Sequence, residues 1–248
     1  WYPNHRTNLV CPLEDGHMVK ILAIGAHPDD IEIFMYGCLS ACKARGDDIA
    51  LAVATDGAAG TVLSGSDGLA GQRAKETTKG LADLGVPQLL DLPGGKLAGA
   101  AGADALVTAL INSVRPDLII THAPEDYHPD HRALSHNVTD AAGFICPVLF
   151  ADTLMGTGFM PDFYVDITPF IEAKMSAIGA HHSQQPEKFA DATRLHNRFR
   201  AAQCNAPDGH YAEAYRFQPR FPFSDVRALL PPAPPLRAFY EAGSDTLL

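Results

Sequence analysis

The stretch Val19-Lys20-Ile21-Leu22-Ala23-Ile24-Gly25-Ala26-His27-Pro28-Asp29-Asp30 decides the fold. Its first eight residues form a nearly unbroken apolar run, the pattern of a strand buried on both faces of a parallel sheet. The run stops at His-Pro-Asp-Asp, and proline suits the first turn of a following helix. A buried strand that ends in polar residues and turns into a helix is the opening unit of a strand–helix–strand fold.

The same alternation continues downstream. Apolar runs predict further strands at 49–55, 88–92, 117–121, 148–152 and 163–167. Helical spacing predicts helices from about Ile33 to Arg45, with Gly46 as C-cap, and at 70–84, 101–114, 131–142, 168–180 and 186–202. Strands alternating with helices of about 10–15 residues imply an α/β chain. The expected architecture is a single Rossmann-like domain, a mostly parallel sheet with helices on both faces. Residues 56–69 are glycine-rich and read as a long loop, the kind of segment that often carries function. From about Phe221 the chain turns proline-rich, and this tail is expected to wrap over the surface. No internal repeat or linker divides the chain.

Composition narrows the class. The chain has 248 residues, 46% of them hydrophobic, enough for one full-sized core. Formal net charge is −10 and no Lys/Arg stripe forms, which argues against a nucleic-acid or anionic-membrane partner. No apolar run reaches the roughly 18 residues of a membrane span. Cys11, Cys38, Cys42, Cys146 and Cys204 are odd in number and follow no disulfide spacing. Reduced, buried thiols point to the cytoplasm. Residues 1–17 are polar and aperiodic, and Gly16-His17-Met18 reads as a cloning junction. They are treated as a vector-derived or disordered leader and 18–248 as the domain.

In open parallel sheets, ligands bind beyond the carboxyl ends of the strands. Two of those ends carry matched tetrapeptides: His27-Pro28-Asp29-Asp30 after the first strand, and His128-Pro129-Asp130-His131 after the 117–121 strand. Alone, a His-Pro-Asp is read as a helix cap, because aspartate satisfies N-terminal amides and suits the helix dipole. Two such motifs at two strand ends suit a catalytic zinc site. Zinc takes imidazole nitrogens and carboxylate oxygens, three from protein with one position open. A second carboxylate can then take a proton from water, and a histidine can stabilise an oxyanion and protonate a leaving group. His27 and Asp30, three apart, can share one side of a helical turn with Asp29 pointing elsewhere, but spacing leaves the ligand assignment open. A Gly-x-Gly-x-x-Gly turn is absent where His27-Pro28-Asp29-Asp30 stands, and the glycine-rich loop lacks a Walker lysine, so a nucleotide binder is disfavoured.

These residues resemble the LmbE-like/PIG-L family of zinc N-deacetylases. The resemblance runs from Ile21 to Glu32 and through Thr55-Asp56-Gly57, Arg73-Ala74-Lys75-Glu76, Pro116-Asp117 and His128-Pro129-Asp130-His131-Arg132. Weaker matches are His181-His182-Ser183-Gln184 and Tyr211-Ala212-Glu213-Ala214-Tyr215, so it covers about residues 19–217. It implies Zn2+ held by His27, Asp30 and His131, with Asp29 as general base. It further implies His128 as the protonated histidine that stabilises the oxyanion and donates to the leaving amine, oriented by Asp130. Arg73 falls where the family has a substrate-contacting arginine; the alternative is an i, i+3 ion pair with Glu76. Asp56 and His181 are further substrate-binding candidates, Asp56 against a loop-capping role and His181 against a structural or subunit-contact one. The implied reaction removes an N-acetyl group from an amino sugar; some members act instead as hydratases of small carboxylic acids. The expected partner is a small amino-sugar substrate, with self-association left open. Two departures stand out. Gly37-Cys38 occupies a position where many members have two glycines. Asp126 stands where the mycothiol-pathway enzyme has a tyrosine, with Tyr127 beside it. His122 is expected to be structural, His136 solvent-facing or structural, and His196 and His210 to lie at the surface.

Overall fold

A computed structural model describes residues 18–60 and 68–237. The leader and residues 61–67, half of the glycine-rich loop expected to be functional, lie outside the described residues. Seven strands form one sheet in the order β3-β2-β1-β4-β5-β7-β6. They are β1 (Lys20–Gly25), β2 (Asp48–Thr55), β3 (Gln88–Leu92), β4 (Leu118–His122), β5 (Val148–Ala151), β6 (Phe163–Asp166) and β7 (Ala212–Phe217). The run β3-β2-β1-β4-β5 is parallel, and β7 pairs antiparallel with both β5 and β6. The sheet is therefore mostly parallel, with one reversed strand near its edge.

Alternation along β1 builds both faces. Ile21 and Ala23 join the core under α1 (Asp30–Phe34), α2 (Tyr36–Arg45) and α6 (Ile171–Gly179). Leu22 and Ile24 join the opposite core under α4 (Ala103–Val114) and α5 (Pro129–Ala142). All four residues are fully buried. Each large aliphatic side chain so buried contributes roughly 1.5–3 kcal/mol, which fixes where β1 ends and so where His27 emerges. The remaining helices, α3 (Leu69–Gly80) and α7 (Pro186–Gln203), complete the covering. The chain leaves β1 for β2 and β3 on one side, then returns to β4 on the other. The ends of β1 and β4 thus flank the topological switch point, where open α/β sheets form their crevice.

Several boundaries differ from expectation. The single helix over 33–45 is two helices broken at Met35 (φ −133°, ψ −15°), and the first starts at Asp30. The break frees the Gly37 and Cys38 amides, and both donate to the Glu213 carboxylate at 2.8 Å. Gly37 is required there: a Cβ would sit 2.5 Å from Ile167 Cγ2. The strand β7 was missed because its burial depends on Glu213, whose charge makes the segment read as polar. Glu213 is buried beside Lys174 Nζ at 2.6 Å and Tyr215 Oη at 2.6 Å. Helix α5 begins two residues early, at Pro129, and β4 ends one residue late, taking in His122. The proline-rich segment packs along the body. Val226 and Leu230 enter the core, and the Asp166 amide donates to Pro232 O at 3.0 Å.

Candidate metal centre

His27 follows β1, Asp30 is the first residue of α1, and His131 lies in the first turn of α5. Three side chains from two strand ends meet. His27 Nδ1 is 3.2 Å from His131 Nε2 and 3.4 Å from Asp30 Oδ2, and His131 Nε2 is 3.3 Å from Asp30 Oδ1. The carboxylate thus shows one oxygen to each imidazole. Tetrahedral bonds of about 2.0–2.2 Å place neighbouring ligands about 3.3–3.6 Å apart, so this donor set fits zinc in both spacing and chemistry. Two overlapping ligand groups share His131: His27, His128 and His131 on the open side, and Asp30, His122 and His131 on the buried side.

Charge around the site favours a cation. Burial works against a charged His131, but Asp30 and Asp126 outweigh it and raise the group to about 10. Burial likewise opposes charge on Asp30, yet the His131 and His122 imidazoles hold its carboxyl well below the usual range. Each histidine of the triad has its own carboxylate behind it. His27 Nε2 is 3.1 Å from Asp130 Oδ2, and His131 Nδ1 is 3.1 Å from Asp126 Oδ2.

Asp29 is set apart from the triad. Its φ of 126° is a conformation that costs a non-glycine residue of order 1–3 kcal/mol, and such strain persists where surroundings enforce it. Arg73 is the enforcing group. This buried guanidinium contacts Asp29 Oδ2 at 3.0 Å, Pro28 O at 2.5 Å and Gly57 O at 3.1 Å. Asp29 makes no capping hydrogen bond to α1. Burial raises its carboxyl to about 6, with Arg73 opposing the rise. A carboxylate poised there can accept a proton near neutral pH. Arg73 forms no ion pair with Glu76, which instead bonds Gln72 and Ser183.

His128 caps α5: its Nδ1 accepts the Asp130 amide at 3.2 Å. In the neutral ring the hydrogen is then on Nε2. Burial and the neighbouring His27 and His131 lower its pKa, which favours the neutral ring, while Asp130 and Asp30 favour the cation. Asp130 orients His128 through its backbone amide and its charge favours the imidazolium, but its carboxylate makes no hydrogen bond to the ring. The Asp130 carboxylate accepts from Gly95 N and Leu97 N and faces His27 instead, because the loop after β3 draws it away.

These groups open on a cavity of 270 Å3. His27, Asp29, Asp30, Arg73, His128 and His131 line one part; Ile33, Phe34, Leu154 and Phe189 make an apolar wall. Gln184, Tyr127 and the glycines Gly57, Gly60, Gly94 and Gly95 complete it. Asp56 and His181 do not line it. Asp56 Oδ1 accepts from Ala58 N and Gly94 N, a loop cap. His181 is buried against Glu32 at 2.8 Å. His122 is a buried strand residue, 3.0 Å from Asp30 Oδ2 and stacked on His131 at 3.7 Å between ring centroids. His136 is exposed, and His210 is half-buried with Nδ1 3.1 Å from Pro207 O. His196, expected at the surface, is buried beside Asp152 at 3.1 Å. Sequence reading gave no role to Asp126 behind His131, because a loop acid five residues before a ligand follows no helical spacing. Gln184 had only its place in His-His-Ser-Gln as a signal.

Fold and site together define an α/β protein with a His2Asp donor set, able to hold a metal ion, at the switch point of its sheet. The chain matches the PIG-L family, described as GlcNAc-PI de-N-acetylase, over residues 22–142, which contain both His-Pro-Asp motifs. It is 29% identical to the diacetylchitobiose deacetylase of Thermococcus kodakarensis over 223 residues, covering 81% of this chain and 83% of that one. It is 28% identical to the 1D-myo-inositol 2-acetamido-2-deoxy-alpha-D-glucopyranoside deacetylase of Mycobacterium sp. strain KMS, covering 70% and 76%. Its fold matches the crystal structure of GalB, the 4-carboxy-2-hydroxymuconate hydratase of Pseudomonas putida KT2440. That match has a TM-score of 0.70 at 20% identity, covering 82% and 98%. Among the described residues no helix is long and apolar enough to cross a membrane.

Proposed function

We propose that this chain is a zinc-dependent amide hydrolase that removes the acetyl group from an N-acetylglucosamine-type sugar or glycoside. The observation that carries this reading is the donor triad at 3.2–3.4 Å with the raised Asp29 carboxyl beside it on one cavity. Both relatives named above as deacetylases act, by their names, on acetamido sugars, which supports the substrate class. His27, Asp30 and His131 would hold the ion, which supplies Lewis acidity toward a carbonyl oxygen and toward water. Asp29 takes a proton from the attacking water. His128 directs its Nε2–H into the cavity, where it meets the negative charge that develops on the acetyl oxygen. That charge raises the proton affinity of His128, so that the imidazolium can form and protonate the departing amine. Arg73 acts on substrate indirectly, through the pose of Asp29 and the Gly57 loop. Asp56 and His181 serve to hold the loop and α1 rather than to touch sugar. The free thiols of Cys38, Cys42, Cys146 and Cys204 support a reducing, cytoplasmic setting.

The test is acetate release from N,N'-diacetylchitobiose and from an N-acetylglucosaminyl inositol, with and without EDTA. Activity that survives full removal of metal, or no acetate from either compound with zinc bound, defeats the reading. A hydratase on the same scaffold is the second reading, favoured by the fold match to GalB. Water addition to an unsaturated dicarboxylic acid, without acetate release from the sugars, would establish it.

A further inference from the structure

We propose that Asp126 is a positioning residue whose single carboxylate sets both the tautomer of His131 and the place of His128. The inference rests on the metal-centre reading above. Asp126 lies between β4 and α5, is 1% exposed and is not part of the cavity wall. It therefore acts through other residues. Its Oδ1 accepts the His128 backbone N–H at 2.8 Å. Its Oδ2 lies 3.1 Å from His131 Nδ1. Both of these last atoms are buried, and among the described residues neither has a well-aligned hydrogen bond, their own 3.1 Å contact included, which leaves each as the nearest polar group open to the other. Buried polar atoms left unpaired are costly, so each has the other as its partner.

That pairing requires the hydrogen to be on Nδ1 of His131. In the neutral ring Nε2 is then left with a free lone pair. Nε2 is the atom that faces His27 Nδ1 and Asp30 Oδ1. The carboxylate thus turns the lone pair toward the ligand centre, as groups behind metal-binding histidines generally do. His27 is arranged the other way: Asp130 faces its Nε2, leaving Nδ1 for the centre. The two imidazoles are presented through opposite nitrogens, each selected by its own carboxylate. Asp126 differs from Asp130 in its second task. By holding the His128 amide it ties the pose of the proton donor to that of a metal ligand. Arg132 braces the same loop by donating to Asp126 O and Tyr127 O, both at 2.7 Å.

Asp126→Asn preserves the shape but has one acceptor oxygen for two N–H donors. Its zinc dissociation constant, read by competition with a chelating dye, is expected to weaken about 10–100-fold. At saturating zinc its kcat on an N-acetyl sugar should fall with KM unchanged. Wild-type zinc affinity in a folded Asp126→Asn overturns the role at His131, and an unchanged kcat at saturating zinc overturns the link to His128. A second measurement needs no variant. Nitrogen NMR of histidine-labelled, zinc-loaded wild type should show zinc on Nε2 of His131 and on Nδ1 of His27. Zinc on Nδ1 of His131 overturns the proposal. A wild-type chain that binds no zinc at all overturns instead the metal-centre reading beneath it.

Discussion

Asp29 and Arg73 form the pair whose roles separate most clearly by experiment. Asp29 must be ionised to accept a proton, and its carboxyl is raised to about 6. Activity should therefore fall in acid, at or below about pH 6 because a bound cation favours the ionised carboxylate, with the acidic limb of kcat/KM reporting the free protein. Asp29→Asn should lower kcat by about 10^2–10^4-fold, the usual scale for a lost general base, with zinc still bound. A folded, zinc-loaded Asp29→Asn with wild-type kcat would remove Asp29 from the chemistry. Arg73 opposes the rise in the Asp29 carboxyl. Arg73→Gln should therefore move the acidic limb to higher pH, whereas a residue that only binds sugar would raise KM and leave the limb in place. The sequence made both residues visible but not their contact. Positions 29 and 73 are joined only because α3 lies beside α1, where Thr77 also donates to Glu32. The candidates Asp56 and His181 were visible as polar residues, but the direction of their side chains depends on partners far along the chain, Gly94 and Glu32.

At the scale of elements, the junction of α1 and α2 is broken at Met35, one short helix beyond Asp30. Gly37 lies in a helix, where alanine would ordinarily be better by about 1 kcal/mol. Here the added Cβ would meet Ile167 Cγ2 at 2.5 Å and lie 3.0 Å from Glu213 Oε1. Gly37→Ala should therefore destabilise, by about 1–3 kcal/mol as overpacking of a core does, read as a lower midpoint in urea. A midpoint equal to or above wild type would show that Ile167, just after β6, moves aside freely. Strands β1, β2 and β3 were legible because their apolar runs are local facts. The helix break was not, because its cause is Glu213 on β7, 176 residues from Gly37. A helix pattern read from spacing cannot register a carboxylate that arrives from the far edge of the sheet.

For the molecule as a whole, the buried Asp30 and His131 couple global stability to pH. Without metal, His131 is raised from 6.5 to about 10 in the folded protein. A group whose folded pKa exceeds its unfolded value adds stability that is fully present below about 6.5 and is lost as pH rises through about 10. The depressed Asp30 acts at the other end, adding stability above about pH 4 that is lost in stronger acid. The metal-free protein should therefore melt at progressively lower temperature as pH climbs from 7 to 10. Metal ligation needs the neutral imidazole, so at pH 8 zinc must displace the His131 proton. Binding should release about one proton from this residue, measurable by calorimetry in buffers of different ionisation enthalpy. The zinc-loaded protein should lose much less of its melting temperature between pH 7 and 10, because the ion replaces the proton that alkaline pH removes. A zinc-binding enthalpy independent of buffer at pH 8, with parallel melting curves for both forms, would mean that His131 is already neutral in the metal-free fold. The acidic surround of Asp30 and Asp126 would then serve the ion alone.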